Sequence, residues 1–272
     1  ISYLSIEHHS VCNLRCSYCS ETYYGGKRSK YNVVEFISYL RKNNALKNCD
    51  QVVWGGGEPT LDKSFEQILE EIHKNANPRL YHRVFTNSVR YNKAIAKFLE
   101  QGLIKIVTSV DAGTPETFTK VRGRAKLTNV FENLQTYAKI DPTKITVKYI
   151  FTEHNFGEDE IDAFVSNCKN YELVNCNFQI SLDYKKNKLE FKLLKSISYL
   201  FFQLFKNGFR KIFIDDHIML RFISLDSNDL NIIKTYLQNK QANKILLDSN
   251  KIDNLIIYGA GTIGKEIIKK TN

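Results

Sequence analysis

Cys12, Cys16 and Cys19 place three thiols within the ten-residue run Val11-Cys12-Asn13-Leu14-Arg15-Cys16-Ser17-Tyr18-Cys19-Ser20, and a glycine-rich stretch, Gly55-Gly56-Gly57-Glu58-Pro59, follows further along. Thiolates so close together can converge on one soft metal centre, whereas disulfides are a poor use for them in a reducing compartment. A closed four-iron cluster takes four thiolates, so a loop with three cysteines and no fourth nearby leaves one iron without a protein ligand. An open metal position invites chemistry. The competing metal is zinc, held by the same cysteines plus His8 or His9 in a closed site that would make the chain a non-catalytic binding module.

The glycine stretch has chemistry of its own. Gly55, Gly56 and Gly57 allow positive φ and close backbone approach, Glu58 adds a carboxylate acceptor suited to a cationic ammonium, and Pro59 removes a donor. The two motifs together, over roughly the first two thirds of the chain, resemble the radical S-adenosylmethionine (SAM) enzymes. That resemblance implies a [4Fe-4S] cluster on Cys12, Cys16 and Cys19 whose fourth iron is chelated by the amino and carboxylate groups of SAM. It further implies an external electron donor, reductive cleavage of SAM, and a 5′-deoxyadenosyl radical that abstracts hydrogen from substrate.

Other positions inherit roles from the same resemblance. Tyr18 would lie near the adenine, with Asn13 and Arg15 shaping the loop, and Gly56, Gly57 and Glu58 would bind the methionyl amino group. Thr86-Asn87-Ser88 is similar to a Thr-Asn-Gly element lining the pocket, with Ser88 standing where the family has glycine. Ser109 and Asp111 match a Ser-x-Asp pattern near the ribose and carboxylate, and Arg122 in Phe118-Thr119-Lys120-Val121-Arg122-Gly123 looks like an arginine-glycine element able to grip a carboxylate. Strand-end capping by Ser, Asn and Asp is the structural alternative for Asn87 and Ser109. Lys148, inside an apolar strand, either reaches the pocket or snorkels to its rim. Glu7, His8 and His9 border the pocket mouth or serve as hydrogen-bonded structural residues.

The elements that must position these residues follow from periodicity. Strands are expected at Tyr3 to His8, Gln51 to Trp54, Tyr81 to Phe85, Lys105 to Val110, Ile145 to Ile150 and Asn175 to Ile180. Between them, apolar residues at helical spacing mark amphipathic faces: Val33, Phe36, Ile37 and Leu40; Phe65, Ile68, Leu69 and Ile72; Ile95, Phe98 and Leu99; Leu127, Val130, Phe131 and Leu134; Ile161, Phe164, Val165 and Cys168. Such alternation means parallel strands with right-handed crossovers, hence an α/β fold, a partial (β/α)6 TIM-like barrel with functional loops at the strands' C-terminal ends. Both motifs fall there.

Beyond residue 183 the expectations change. Residues 184–251 are an α/β extension: a helix from Asn187 to Lys206 ending at Gly208, a strand over Arg210 to Asp215, a polar turn at Asp215-Asp216-His217 that could alternatively hold a divalent metal, and a helix from Asp229 to Asn239. Asn254 to Tyr258 then runs into Gly259-Ala260-Gly261-Thr262-Ile263-Gly264, the start of a Rossmann-like domain in 252–272 that stops short of the acidic residue such a unit needs. The core domain is 1–183.

With 272 residues and 43% hydrophobic content the chain can build a sizeable core. The most apolar run, Leu193 to Phe205, is interrupted by Lys195, Ser196, Ser198 and Gln203, so no membrane span or signal peptide is expected. Cys49, Cys168 and Cys176 are isolated, fitting a cytoplasmic protein, and Ile at position 1 suggests a missing N-terminus. The net charge of +10 is spread over scattered lysines rather than a basic stripe, which argues for solvated surface and against nucleic acid as partner. The expected substrate is a small molecule, a nucleotide-linked sugar or another metabolite, with peptide and RNA modification as alternatives.

Overall fold

Each strand in this chain is followed by a helix, and a helical crossover returns the chain to lie parallel to the strand it left. In the computed structural model, which describes residues 1–20, 26–74, 76–183, 185, 190–223 and 225–239, seven strands make one open sheet in strict chain order. They are β1 (Tyr3–Ile6), β2 (Gln51–Trp54), β3 (Tyr81–Phe85), β4 (Ile104–Ser109), β5 (Ile145–Phe151), β6 (Asn177–Leu182) and β7 (Ile212–Ile214). The helices are α1 (Val33–Lys42), α2 (Phe65–His73), α3 (Lys93–Glu100), α4 (Pro115–Arg122), α5 (Leu127–Ile140), α6 (Glu158–Asn170), α7 (Phe191–Lys206), α8 (Asp216–Ile223) and α9 (Ser227–Asn239). The fold class is the expected one, a parallel α/β sheet not closed into a ring.

The chain divides into two compact units, the first formed by Ile1–Ser109 with Arg122–Thr146. Its parallel register sets Ile6 against Trp54, Trp54 against Val84, and Phe85 against Val107, so the ends of β1 to β4 are level. Val52, Trp54, Val84, Ile104 and Ile106 are fully buried, and Ile37, Ile68, Ile95 and Leu99 of the helices are buried too. Caps fix where the helices begin. Asn32 Oδ1 accepts the Glu35 N–H at 3.3 Å for α1, and Asn92 Oδ1 accepts the Ile95 N–H at 3.1 Å for α3. Between α1 and α2, Lys74 Nζ and Arg41 Nε donate to Glu71 at 2.7 and 2.8 Å and hold its carboxyl down to about 2.

The second unit takes Val110–Val121 and the chain from Val147 onward. Tyr149, Phe164, Phe178 and Phe209 pack edge to face in succession, with centroids 4.7, 6.5 and 4.7 Å apart. Glu160 of α6 accepts from the Gly113 N–H, from the Thr114 N–H and hydroxyl at 3.1 and 2.8 Å, and from the Thr117 hydroxyl at 2.9 Å, which satisfies the start of α4. Tyr236 of α9 donates to Glu158 at 2.6 Å.

Two elements differ from the sequence reading. Helix α4 was not expected, and Asp215-Asp216-His217 is not a turn but a helix start, since the Ile218 and Met219 N–H groups bond back to the Asp215 carbonyl at 2.9 and 3.1 Å. Asp215 itself accepts from Gln179 Nε2 at 2.7 Å. The Rossmann-like remnant at Asn254 to Gly264 lies outside the described residues.

Candidate active site

Backbone hydrogen bonds bring the two motifs together. Gly55 N–H donates to the Ile6 carbonyl at 3.0 Å, Gly57 N–H to His9 at 3.0 Å and Glu58 N–H to Val11 at 2.7 Å, so the glycine stretch is laced along the chain leading into the cysteines. The contact is too close for side chains. A Cβ on Gly57 would sit 2.2 Å from the Val11 carbonyl oxygen, and one on Gly56, at φ +83°, 2.7 Å from that of His9. Glycine is therefore required against protein backbone, and both residues still border the cleft that follows.

That cleft, about 220 Å³, is lined by Cys12, Cys16 and Cys19 together with Tyr18, Gly56, Gly57, Glu58, Asn87, Ser109 and Arg122. All are in the first unit. None of the three cysteines is in a disulfide; Cys16 is buried and the other two are half-buried. Their loop is shaped locally: the Cys19 N–H donates to the Cys16 carbonyl at 3.0 Å, and the Leu14 N–H points at Cys12 Sγ, 3.4 Å away.

Glu58 is 2% exposed, and its carboxylate ties strand ends together. Oε1 accepts the Thr60 hydroxyl at 2.6 Å, the Thr86 hydroxyl at 2.8 Å and the Thr60 N–H at 3.3 Å, while Oε2 accepts the Asn87 N–H at 2.6 Å. Burial nevertheless pushes its pKa up. Asn87 in turn donates to Asn13 Oδ1 at 2.7 Å and has Nδ2 3.9 Å from Cys12 Sγ. A chain of contacts thus runs from Glu58 to the cysteine loop.

Ser88 adopts φ +54°, the left-handed conformation for which glycine is the easier residue. Its hydroxyl shares a hydrogen with Thr108 at 2.7 Å, and its carbonyl accepts from Asn133 Nδ2 at 2.9 Å. Arg122 is buried rather than solvated, bonded to the Tyr18 hydroxyl with its guanidinium carbon 5.6 Å from the ring centre, and the Arg15 N–H donates to its carbonyl at 3.1 Å. Asp111 is the exception among the expected residues. It does not line this cleft; fully buried in the second unit, its carboxylate accepts the Ile150 N–H at 2.7 Å and its pKa is raised by burial, with Lys148 pulling the other way.

The donor set fits a cluster held by three thiolates with one position left for a small ligand, and the glycine wall beside it adds no side-chain bulk. An α/β sheet carrying such a site at its strands' C-terminal ends defines a class of cluster-and-SAM enzymes. The chain belongs to the radical SAM superfamily, whose family model matches residues 6–165. Members of that family use a [4Fe-4S] cluster and SAM.

Relatives include the GTP 3′,8-cyclase of Actinobacillus succinogenes, 30% identical over 167 residues, which are 60% of this chain and 49% of that protein. The GTP 3′,8-cyclase of Haemophilus influenzae is 28% identical over 166 residues, with the same coverage. The chain thus spans about half the length of the curated relatives it matches. Among solved structures, Streptococcus suis SuiB bound to S-adenosylmethionine superposes with a TM-score of 0.64 at 14% identity, covering 85% of this chain and 54% of that one. Native anSMEcpe with bound AdoMet gives 0.60 at 21% identity, covering 82% and 66%. These likenesses show the fold. Among the described residues no helix is long and apolar enough to cross a membrane.

Proposed function

We propose that Cys12, Cys16 and Cys19 hold a [4Fe-4S] cluster in this chain and that the protein cleaves SAM to start hydrogen abstraction from a small substrate bearing a nucleotide or a comparable phosphorylated group. The observation that carries the reading is the lacing of Gly55, Gly57 and Glu58 onto Ile6, His9 and Val11, with three cysteines outside any disulfide and a glycine wall lining one cleft. When bound, the cluster supplies the electron, delivered by an external donor, that cleaves SAM to the 5′-deoxyadenosyl radical.

The chain's own residues hold and orient. Gly56 and Gly57 would let the cofactor's methionyl end approach backbone, Glu58 fixes the strand ends beside them, and Arg122 would bind the carboxylate. Tyr18, held by Arg122, offers a ring face to the adenine, while Asn87 and Ser109 supply polar contacts to the rest of SAM. Asp111 fixes the Ile150 backbone. The nucleotide-like substrate class rests on the GTP 3′,8-cyclase relatives, which act on a nucleotide by name.

The test is anaerobic reconstitution followed by reduction. A brown protein that converts SAM to 5′-deoxyadenosine is the expected result, and Cys16→Ala should lose both iron and cleavage. Stoichiometric zinc in a colourless protein, or full turnover by the Cys16 variant, would refute it.

A further inference from the structure

A second cleft in the first unit, about 430 Å³, is lined by His8, His9, Arg28, Asn32, Asp62 and Lys63 among others, and shares no lining residue with the cysteine cleft. Two imidazoles here have a nitrogen that is buried and without a hydrogen-bond partner, His8 Nδ1 and His9 Nε2. Leaving such atoms unpaired is costly, so each demands an explanation. The rings stand edge to face with centroids 4.7 Å apart.

Which nitrogen carries the proton follows from the partners. His8 Nε2 bonds to Asp62 Oδ2, and Asp62 Oδ1 accepts the Ser64 N–H at 2.8 Å. His9 Nδ1 accepts the Val11 N–H at 3.1 Å. Burial and the neighbouring His8 keep His9 neutral, against the pull of Asp62. A neutral imidazole that accepts at Nδ1 must carry its hydrogen on Nε2. The orphan on His9 is therefore an N–H donor, and His9 is itself only 8% exposed.

This favours an anion over a cation. His8, His9 and Asp62 each offer an atom within 4.8 Å of the others, a spacing a metal ion could bridge. A ligating nitrogen needs its lone pair, however, and the Nδ1 lone pair of His9 is spent on Val11, which leaves His8 Nδ1 as the one imidazole lone pair of this group open to a cation. Apart from that one acceptor and Asp62, the cleft presents donors. Arg28 and Lys63 stand exposed at its edge, and Asn32 and Val33 bring in the first turn of α1, a ten-residue helix whose opening N–H groups and dipole favour negative charge. Asp62 is the one carboxylate in the lining, and His8 faces it.

We propose that this cleft docks the phosphoryl group of the substrate: one oxygen on His9 Nε2–H, one on His8 Nδ1, and the outer oxygens toward Arg28, Lys63 and the α1 N-terminus. With Nε2 bonded to Asp62, His8 turns its Nδ1 to the P–OH of the group. The proposal rests on the reading of the substrate as phosphorylated, while the cleft stands apart from the cysteine site.

Inorganic pyrophosphate, titrated calorimetrically into the anaerobically reconstituted full chain, is the probe. Saturable binding is expected, weakened about tenfold or more in Arg28→Ala and in Lys63→Ala, each of which removes a charge-assisted contact at an exposed position. His9→Phe should weaken it further, with circular dichroism as the check on folding. Acetate should compete poorly. The absence of saturable binding, binding indifferent to all three substitutions (an adventitious ion only), equal competition by acetate, or stoichiometric zinc that blocks pyrophosphate would each overturn the assignment. SAM cleavage assayed on the same preparation separates the two readings: cleavage without pyrophosphate binding sinks the cleft alone, and pyrophosphate binding without cleavage sinks the radical reading alone.

Discussion

Glu58 carries a different burden from the one its motif suggests. A carboxylate has about four acceptor sites, and here three hydrogen bonds converge on Oε1 and one on Oε2, leaving little of the side chain for a ligand ammonium. Glu58→Ala would strand the buried Thr86 hydroxyl and Asn87 N–H, at roughly 1 to 3 kcal/mol each. The expected outcome is SAM affinity lowered about tenfold, by equilibrium dialysis, with iron content unchanged. Unaltered affinity would mean that these strand ends do not shape the cofactor pocket. The cysteines and glycines were legible in the sequence because their spacing is local. Thr60 and Thr86 were not recognised as Glu58 partners, because one hydrogen bond depends on the turn after Pro59 and the other on strand register. Asp111 was expected at the pocket from the Ser-x-Asp resemblance; its φ of +61° accompanies a side chain bonded to β5.

At the level of elements, the joint between the glycine stretch and the cysteine loop is the most exacting contact in the first unit. Gly57→Ala puts a methyl 2.2 Å from the Val11 oxygen, a clash with backbone that cannot swing aside. We expect a loss of about 2 kcal/mol or more in denaturant unfolding together with depleted iron, since the loop holding the thiols must move. Normal iron and stability in that variant would show the joint to be loose. Strand positions were legible to within two residues at most ends because buried and exposed residues alternate, as in β2 and β3. Helix α4 was missed because Pro115-Glu116-Thr117-Phe118-Thr119-Lys120-Val121-Arg122 has no long apolar stripe. Its real signals were Pro at the first helical position and Thr114 before it, whose Oγ1 accepts the Thr117 N–H at 3.3 Å.

For the molecule as a whole, the buried histidines of the first unit set a pH limit. His82 is 0% exposed, accepts from Trp54 Nε1 at 3.0 Å and packs 4.8 Å from His73, and burial lowers the pKa of both rings. The unfolded chain therefore binds more protons than the folded one once pH drops below about 6.5. Stability is retained above that value and declines toward the depressed folded pKa, by about 1 kcal/mol per fully neutral histidine at pH 5.5. Denaturant midpoints measured between pH 7.5 and 5.5 should fall in the wild type and fall less in His82→Gln; parallel curves would contradict the assignment. The strictly consecutive strand order has a further consequence for biosynthesis. Every strand leaving the ribosome meets a neighbour already made, so assembly can proceed by addition at one growing edge. The thiols, however, emerge before the glycines that brace them, and a metal centre installed during translation would have to wait until Glu58 has cleared the exit tunnel.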